Sequence, residues 1–364
     1  MNQEEQNQNL TVTKQIIPEE TSKRITALRF LLAMLVVFIH NNLNADDAIN
    51  YYHLAFNEPM VITWIKGFVC NTLGGAAVPL FFMFAGYLQF SKDDSYPNLI
   101  KKKARSLLLP YVIWTILCIF AFYLGQSIPK LAGFFQNEGN IVRNWDLKDW
   151  LGLFWVHGKN KHPLMYQLWF VRNLIVLVIF SPILKFCVKQ MRCFLIFVII
   201  FLFLKGLPLG FSTALFYFMA GAFLANYKID FMKLTDKINW LEILVLMLCN
   251  SILEIKSIRS FGLGTIVSCL FFLKLSVILI KKDSVYSVLK YLAGFSFFLY
   301  AIHAPFLVNF LNKLSFRVIP LHGIGCLVQF IVPPALTILI GTSIGIALKK
   351  ICPALFSVLN GGRR

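Results

Sequence analysis

Long apolar segments separated by short polar connections dominate the pattern of this chain. Most of these segments approach the roughly 20 residues that an α-helix needs to cross the hydrocarbon core of a bilayer. The ten-residue alternation that is typical of membrane-spanning β-strands does not occur. The pattern therefore predicts an all-α polytopic integral membrane protein with about ten transmembrane helices. The predicted spans are 25–43, 67–90, 106–125, 168–187, 193–206, 208–227, 239–255, 261–280, 290–312 and 322–348.

The spans are predicted to form one membrane domain, 25–350, between a polar N-terminal tail, 1–24, and a C-terminal tail, 351–364. The first 24 residues lack both the basic start and the cleavage site of a signal peptide, so the first apolar run is expected to remain as a span. The least marked boundary lies between the short span 193–206 and the span that begins at Pro208.

The composition supports a membrane protein, and the distribution of Lys and Arg predicts its orientation in the membrane. Apolar residues make up 58% of the chain and charged residues 14%, against about 45–50% and about 25% in soluble domains. The net charge of +18 would suggest nucleic acid in a soluble protein. In the ten-span arrangement, however, 21 of the 35 Lys and Arg residues lie on the cytoplasmic side and 11 on the outer side. These counts include Lys185 and Lys290 at the inner ends of their spans and Lys205 at the outer end of its span. This bias predicts that both termini are cytoplasmic and leaves no need for a nucleic-acid partner.

The longest outer connection, 126–167, contains one amphipathic segment. Leu147, Trp150, Leu151, Phe154 and Trp155 share one helical face. Two Trp residues at headgroup depth predict an interfacial helix at the outer surface.

Cysteine and histidine spacing predicts neither a disulfide framework nor a metal site. Eight Cys residues are scattered singly without a C-x-x-C pair, which is typical of packed thiols. His157 and His162 lie five residues apart with no further ligand nearby, so zinc is not expected.

The first span carries a cation and an imidazole on one face. Arg29 and His40 are eleven residues apart, which at 100° per residue brings them within about 20° of the same face and about 16 Å apart along the axis. Ionisable side chains within a span are functional candidates by default. The alternative is that Arg29 extends toward the cytoplasmic interface and that His40 only marks the outer boundary.

Three further elements are candidates. The inner basic run Lys101, Lys102, Lys103 and Arg105 either sets topology and contacts anionic lipid, or holds the phosphates of a cytoplasmic ligand. Trp169 and Arg172 enter the fourth span, where Arg172 needs a partner or an aqueous cavity. His303 lies mid-span or in the outer half of the ninth span, either as a packing residue or as part of a site. The predicted spans carry no carboxylate away from their ends, since Glu242 and Glu254 lie close to the two ends of the span 239–255. This pattern disfavours a proton-coupled transporter.

Five motifs follow one another along the chain. They are Arg29-x10-His40, Val78-Pro79-Leu80-Phe81-Phe82 with Gly86-Tyr87-Leu88, the basic run ending at Arg105 with Pro110-Tyr111, Leu168-Trp169-Phe170, and Tyr300-x-x-His303. Taken in this order, they resemble the acyltransferase 3 family, whose polytopic membrane enzymes acylate hydroxyl groups of surface and envelope glycans. Two positions depart from the family pattern: Gln167 stands where many members have His, and Asn173 where some glycan-acting members have Asp.

The resemblance implies an enzyme of the bacterial inner membrane with no bound cofactor. It would move an acyl group, most simply acetyl with succinyl as an alternative, from cytoplasmic acyl-CoA to a hydroxyl of a surface or lipid-linked glycan. No hydrolase-type domain follows the last span, so direct transfer is expected.

A role for each candidate follows from that chemistry. His40 is the expected general base, because a neutral imidazole can accept the proton of the attacking hydroxyl. The basic run would hold the nucleotide phosphates, with the pantetheine arm passing Arg29. Arg172 and His303 are candidates for stabilising the oxyanion. Trp150, Trp155, Trp169 and Glu58 are candidate contacts for the glycan.

Two other functions remain open. The same fold would serve to export a surface polysaccharide or lipid-linked precursor, with Arg29, Lys274 and Arg172 lining an anionic path. A purely structural role in an envelope complex is the third possibility.

Overall fold

The computed structural model describes residues 17–41, 43, 48, 55–92, 94–129, 132, 135, 141–157, 162–190, 211–255 and 262–362. Within these ranges all regular secondary structure is helical. The predicted span 193–206 and most of the N-terminal tail lie outside the described residues.

The helices follow the apolar segments of the sequence. They are α1 (Glu19–Ile39), α2 (Met60–Phe90), α3 (Tyr96–Ser127), α4 (Leu147–Gly152), α5 (Tyr166–Ile179), α6 (Ser181–Lys189), α7 (Phe211–Asn226), α8 (Phe231–Asp236), α9 (Trp240–Ile255), α10 (Leu263–Lys281), α11 (Asp283–Ala293), α12 (Ser296–Ser315), α13 (Ile324–Ile351) and α14 (Pro353–Leu359).

Five of the described helices, α2, α3, α10, α12 and α13, are long and apolar enough to cross a membrane. The pair α5 and α6, which meets at a bend of 69°, would make a sixth span. The prediction of an all-helical, multi-pass membrane protein is confirmed at this level. Helices α7 and α9 are shorter apolar helices.

Helix α1 is the centre of the bundle, because it packs against α2, α10, α11, α12 and α13. Its position explains why a membrane-embedded helix carries cations, since these side chains meet protein rather than lipid. Leu28, Leu32 and Val37 of this helix are fully buried.

Helices α2 and α7 approach each other through glycine. A Cβ atom added to Gly86 would collide with the carbonyl of Phe218, and one added to Gly221 would collide with the carbonyl of Met83. Small residues at such crossings allow the backbones of membrane helices to touch.

Irregular helical turns occur beside three prolines. A π-helical and a 3-10 segment, 68–76, precede Pro79; a π-helical segment, 104–108, precedes Pro110; and the break of α12 at 303–307 contains Pro305. Proline removes a backbone donor and crowds the preceding turn, so the local hydrogen-bond pattern shifts.

Arg24 joins three elements at the start of α1. Its guanidinium is fully buried and pairs with both carboxylate oxygens of Asp236, at 2.7 and 2.8 Å. It also donates to the Ser276 hydroxyl at 2.8 Å and to the Leu273 carbonyl at 2.7 Å. This planar set of donors ties α1 to α10 and to the end of α8, an arrangement that lysine cannot reproduce.

Replacing Arg24 by alanine is therefore expected to destabilise the protein by about 3 kcal/mol. The reason is that the four hydrogen bonds of a fully buried guanidinium are lost, two of them to Asp236. The midpoint of thermal unfolding, measured in detergent on the purified chain, would fall. Lys23→Ala is the matched control, since the ion pair of Lys23 with the exposed Glu19 lies at the surface of the protein. Equal midpoints for the two variants would contradict the assignment.

Candidate active site

Two imidazole rings meet where α1 ends and α12 breaks. The ring centroids of His40 and His303 are 5.1 Å apart, and the ring of Tyr166 lies 5.1 Å from that of His40 on another side. His40 follows the last residue of α1. The next residue, Asn41, fixes this end by donating to the carbonyls of Gln329 and Phe330.

His303 is fully buried, and its tautomer follows from its contacts. Its Nδ1 lies 2.7 Å from the carbonyl oxygen of Tyr300. A carbonyl only accepts, so Nδ1 carries the hydrogen and Nε2 presents a lone pair. Nε2 is buried without a hydrogen-bond partner among the described residues. Neutral His303 is therefore an acceptor at Nε2 and offers no hydrogen there to an oxyanion.

Gln167 holds the broken segment of α12 in place. Ala304 has non-helical backbone angles, so carbonyls near the break lose their helical partners. The side-chain amide of Gln167 donates to the carbonyls of Ala301, at 3.1 Å, and Ala304. In return the Tyr300 hydroxyl donates to the Gln167 carbonyl. Gln167 thus supports the backbone around His303.

Arg172 lies buried in α5 and anchors the connection that precedes this helix. Its Nη1 donates to the Trp155 carbonyl at 2.6 Å, its Nε donates to Asn173 Oδ1 at 3.0 Å, and its guanidinium stacks on the Trp155 ring at 5.2 Å. The Tyr111 hydroxyl donates to the neighbouring carbonyl of Phe154 at 2.6 Å. This part of the connection therefore enters the helical bundle.

His162 lies close enough to interact with both Arg172 and His40, a role that the sequence did not reveal. Burial and the nearby Arg172 guanidinium hold the pKa of His162 below its ordinary value, so the ring is neutral near pH 7. His162 also interacts electrostatically with His40. The available signal was its spacing from His157, whose backbone N–H donates to the His162 carbonyl at 2.7 Å.

A cavity of about 490 Å³, here called the basic cavity, runs from the basic run into the bundle. Its α2 wall extends from Gln89 to Val78, about 16 Å along the helix axis. Its α1 wall contains Arg29 and Val36, the latter one helical turn before His40. Tyr300, whose carbonyl positions His303, also lines it. The cavity thus connects the predicted phosphate-binding region with the backbone of the two-imidazole site.

The four basic residues of the run divide between two openings. Lys103 lines the basic cavity, whereas Lys101 and Arg105 line a second opening, here called the surface pocket. Lys102 lines both and pairs with Asp94 at 2.6 Å. The two spaces therefore meet at Lys102.

The C-terminal segment closes the surface pocket. Asn360, just after α14, donates to the Gly294 carbonyl at 2.7 Å and accepts from the Phe298 backbone N–H at 3.2 Å. Gly361 and Gly362, which both have positive φ, then line the pocket opposite Lys101 and Arg105. Part of the predicted tail is therefore packed structure beside the basic run.

Gln89 lines the basic cavity, and its side-chain amide makes no hydrogen bond to the described residues. Its side chain is 91% buried, with 9% exposed, and lines the cavity. Neither its amide nitrogen nor its amide oxygen has a hydrogen-bond partner among the described residues. A buried unpaired amide costs free energy, which a ligand with a complementary donor and acceptor would recover.

The candidate glycan contacts are spread over several surfaces. Trp150 and Trp155 are 44% and 49% exposed, and α4 ends at Gly152 rather than continuing through Trp155. Trp169 is partly buried beside the ring of Phe82. Glu58 is engaged within the protein, where its carboxylate oxygens accept from Lys66 Nζ at 2.7 Å and from the Thr63 hydroxyl at 2.8 Å.

The three cations of the export alternative lie in different environments. Arg29 lines the basic cavity. Lys274 Nζ donates to the backbone carbonyls of Asp236, at 3.1 Å, and Ile238, and stacks on Trp240. Arg172 holds Trp155. Lys274 therefore has a local structural role among the described residues.

Comparison with known proteins gives one family and one relative. The model of the acyltransferase domain family matches residues 22–349. The succinoglycan biosynthesis protein ExoH of Rhizobium meliloti (strain 1021) is 25% identical over 222 residues, which cover 59% of this chain and 57% of ExoH. The aligned region thus spans little more than half of that relative. No solved structure gives a significant match.

The family match spans almost all of the described bundle, including α1 with His40, the basic run and the break at His303. The chain belongs to the acyltransferase 3 family, as its ordered motifs predicted.

Proposed function

We propose that this protein is a membrane O-acyltransferase that moves an acyl group, most simply acetyl, from acyl-CoA to a hydroxyl of a surface or lipid-linked glycan. The observation that carries the proposal is the basic cavity, which runs from lysines beside the surface pocket to the segment holding two adjacent imidazoles. Family membership supports acyl transfer. The relative named for succinoglycan biosynthesis supports a polysaccharide acceptor.

The proposal assigns an orientation to the bundle. The ten predicted spans would place both termini and the basic run on the cytoplasmic face of a bacterial inner membrane, following the distribution of Lys and Arg. The donor then enters where it is made, and the glycan arrives from the opposite face at His40.

The donor would occupy both basic openings. Its nucleotide phosphates lie in the surface pocket against Lys101, Lys102 and Arg105, since these cations form charge-assisted hydrogen bonds with phosphate oxygens. Its pantetheine arm extends through the basic cavity past Arg29. An amide of this arm supplies the donor and acceptor that the Gln89 side chain lacks.

The two imidazoles would divide the proton transfer. His40 accepts the hydroxyl proton as the oxygen attacks the thioester carbonyl, and Arg172 supplies positive charge near the developing oxyanion. When the tetrahedral intermediate collapses, the carbon–sulfur bond breaks and the His40 imidazolium returns its proton to the departing thiolate. His303 Nε2, which has no hydrogen-bond partner among the described residues, would then accept the other N–H of His40 and fix the His40 tautomer.

Replacing His40 by alanine is expected to lower acyl transfer by about 10²- to 10⁴-fold, because the general base is lost. Purified protein would be given acyl-CoA and a glycan acceptor, and the acyl product counted by mass spectrometry. Donor affinity and the thermal midpoint should stay unchanged. His322→Ala is the matched control, since His322 is exposed. Undiminished turnover in the His40 variant would exclude His40 as the base.

Removing two cations of the surface pocket should weaken donor binding without a comparable effect on kcat. In Lys101→Ala/Arg105→Ala, the affinity for CoA measured by calorimetry is expected to fall at least about tenfold, because each charge-assisted hydrogen bond is worth about 1.5–3 kcal/mol. Lys237→Ala, an exposed lysine near the same end of the bundle, serves as control. Equal affinities in the double variant and the control would place the nucleotide elsewhere.

Gln89→Leu separates ligand binding from structural support. The variant removes a buried unpaired amide, so the thermal midpoint should hold or rise. The KM for acyl-CoA should increase roughly tenfold, because two hydrogen bonds to the donor are lost. A lower midpoint with an unchanged KM would show that the amide serves the fold.

A further inference from the structure

A groove of about 530 Å³, here called the lateral groove, lies between α3 and the broken helix α12. Its lining is mostly apolar and aromatic, and includes Trp114, Phe122, Phe135, Phe306 and Phe310. Its volume falls within the range of about 300–1,000 Å³ that is typical of ligand sites. It is distinct from the basic cavity, with which it shares no lining residue.

The lateral groove is open toward lipid. Leu117, Phe310 and Ile344 line it and are 42%, 48% and 42% exposed. They continue into the exposed apolar surface of α3, where Phe120 is 59% exposed. A hydrocarbon chain can therefore enter sideways from the bilayer without crossing a polar surface.

One wall of the lateral groove is the segment 301–304, which positions His303 beside the candidate general base His40. Ala301, Ile302 and Ala304 line the groove, while His303 between them is turned toward His40. At the start of α5, Met165 lines the groove and the adjacent Tyr166 packs against His40. The groove and the two-imidazole site are thus separated by single residues along two segments.

A cation stands at the end of the groove that is formed by the last turns of α12. Lys313 lines this end, one helical turn beyond Asn309 and ten residues beyond His303. In the proposed orientation this is the outer end, so the apolar groove finishes at a positive charge. The arrangement is complementary to a lipid whose hydrocarbon chain is followed directly by phosphate.

We propose that the lateral groove seats the isoprenoid chain of a lipid-linked glycan acceptor, with Lys313 beside the carrier's diphosphate. This inference rests on the proposed function, because it assumes that the acceptor's sugar must reach His40. A carrier held there would place its glycan at the outer mouth of the two-imidazole site, next to Tyr166.

The test is photo-crosslinking of the full-length protein in phosphatidylcholine nanodiscs, with a polyprenyl diphosphate that carries a diazirine in its isoprenoid chain. Crosslinks mapped by mass spectrometry are expected on the groove-lining residues of the two helices, and unlabelled polyprenyl diphosphate should compete. These residues are Leu117, Cys118, Ala121 and Phe122 of α3 and Phe306, Asn309 and Phe310 of α12. Labelling that is equally strong on Phe120, or that phosphatidylglycerol removes equally well, would identify ordinary boundary lipid and overturn the proposal.

Two variants sharpen the readout. Ala121→Trp fills the groove and should reduce crosslinking about tenfold, whereas Phe120→Trp on the lipid-facing side should not. Lys313→Ala should lower crosslinking by polyprenyl diphosphate to that of uncharged polyprenol. Identical behaviour of the Ala121 and Phe120 variants would contradict the site, as would an unchanged preference for the diphosphate in the Lys313 variant.

Measurements of acyl transfer distinguish the proposed carrier site from the proposed acyltransferase function. Ala121→Trp should slow transfer to the lipid-linked acceptor while sparing the same glycan released from its carrier. If the expected crosslinks form but the protein acylates neither acceptor, the result would support the carrier site and contradict the acyltransferase assignment. Equal slowing with both acceptors would instead remove the groove's role in binding the carrier.

Discussion

The contact between the break in α12 and the start of α5 is the constraint on which the candidate site depends. A helix interrupted inside an apolar bundle leaves carbonyl groups that water cannot reach, and these must be satisfied by protein. Gln167 supplies the donors and Tyr300 returns a hydrogen bond to the Gln167 backbone. Because the Tyr300 carbonyl also holds His303 Nδ1, the same contact fixes the tautomer of the imidazole that faces His40.

The remaining elements supply access to this point from different directions. The basic cavity reaches Tyr300 along α1 and α2, and the surface pocket joins it at Lys102. The lateral groove reaches the opposite side of the broken segment. The buried clamp of Arg24 and Asp236 holds α1 against α10, and so fixes the helix that carries both Arg29 and His40. In the proposed function, the basic cavity admits an anionic donor and the lateral groove a lipid-bound acceptor, and both lead to one reaction centre.

The sequence predicted those features that repeat along the chain or sit at fixed spacing on one helix. Apolar segments gave the helical, multi-pass class, and ordered motifs gave the family. The shared face of Arg29 and His40 follows from helical periodicity alone, whereas the roles assigned to both residues stay predictions. Features that depend on contacts between distant segments could not be predicted. The partners of Gln167 and Lys274 are backbone carbonyls, which leave no mark in the sequence. Likewise, only packing shows that the Gln89 amide has no hydrogen-bond partner within the described part of the chain, or that Gly361 lies beside the basic run.

Transfer across the bilayer is the central claim, and sidedness tests it most directly. Purified protein would be reconstituted into sealed vesicles that contain the glycan acceptor. Vesicles with the basic run facing outward would be selected through an affinity tag on the N-terminal tail, which the proposal places on the same face. Isotopically labelled acyl-CoA would then be added outside. The account predicts that the enclosed glycan gains the labelled acyl mass while the CoA stays outside. Labelling that requires donor and glycan on the same side of the membrane would contradict it.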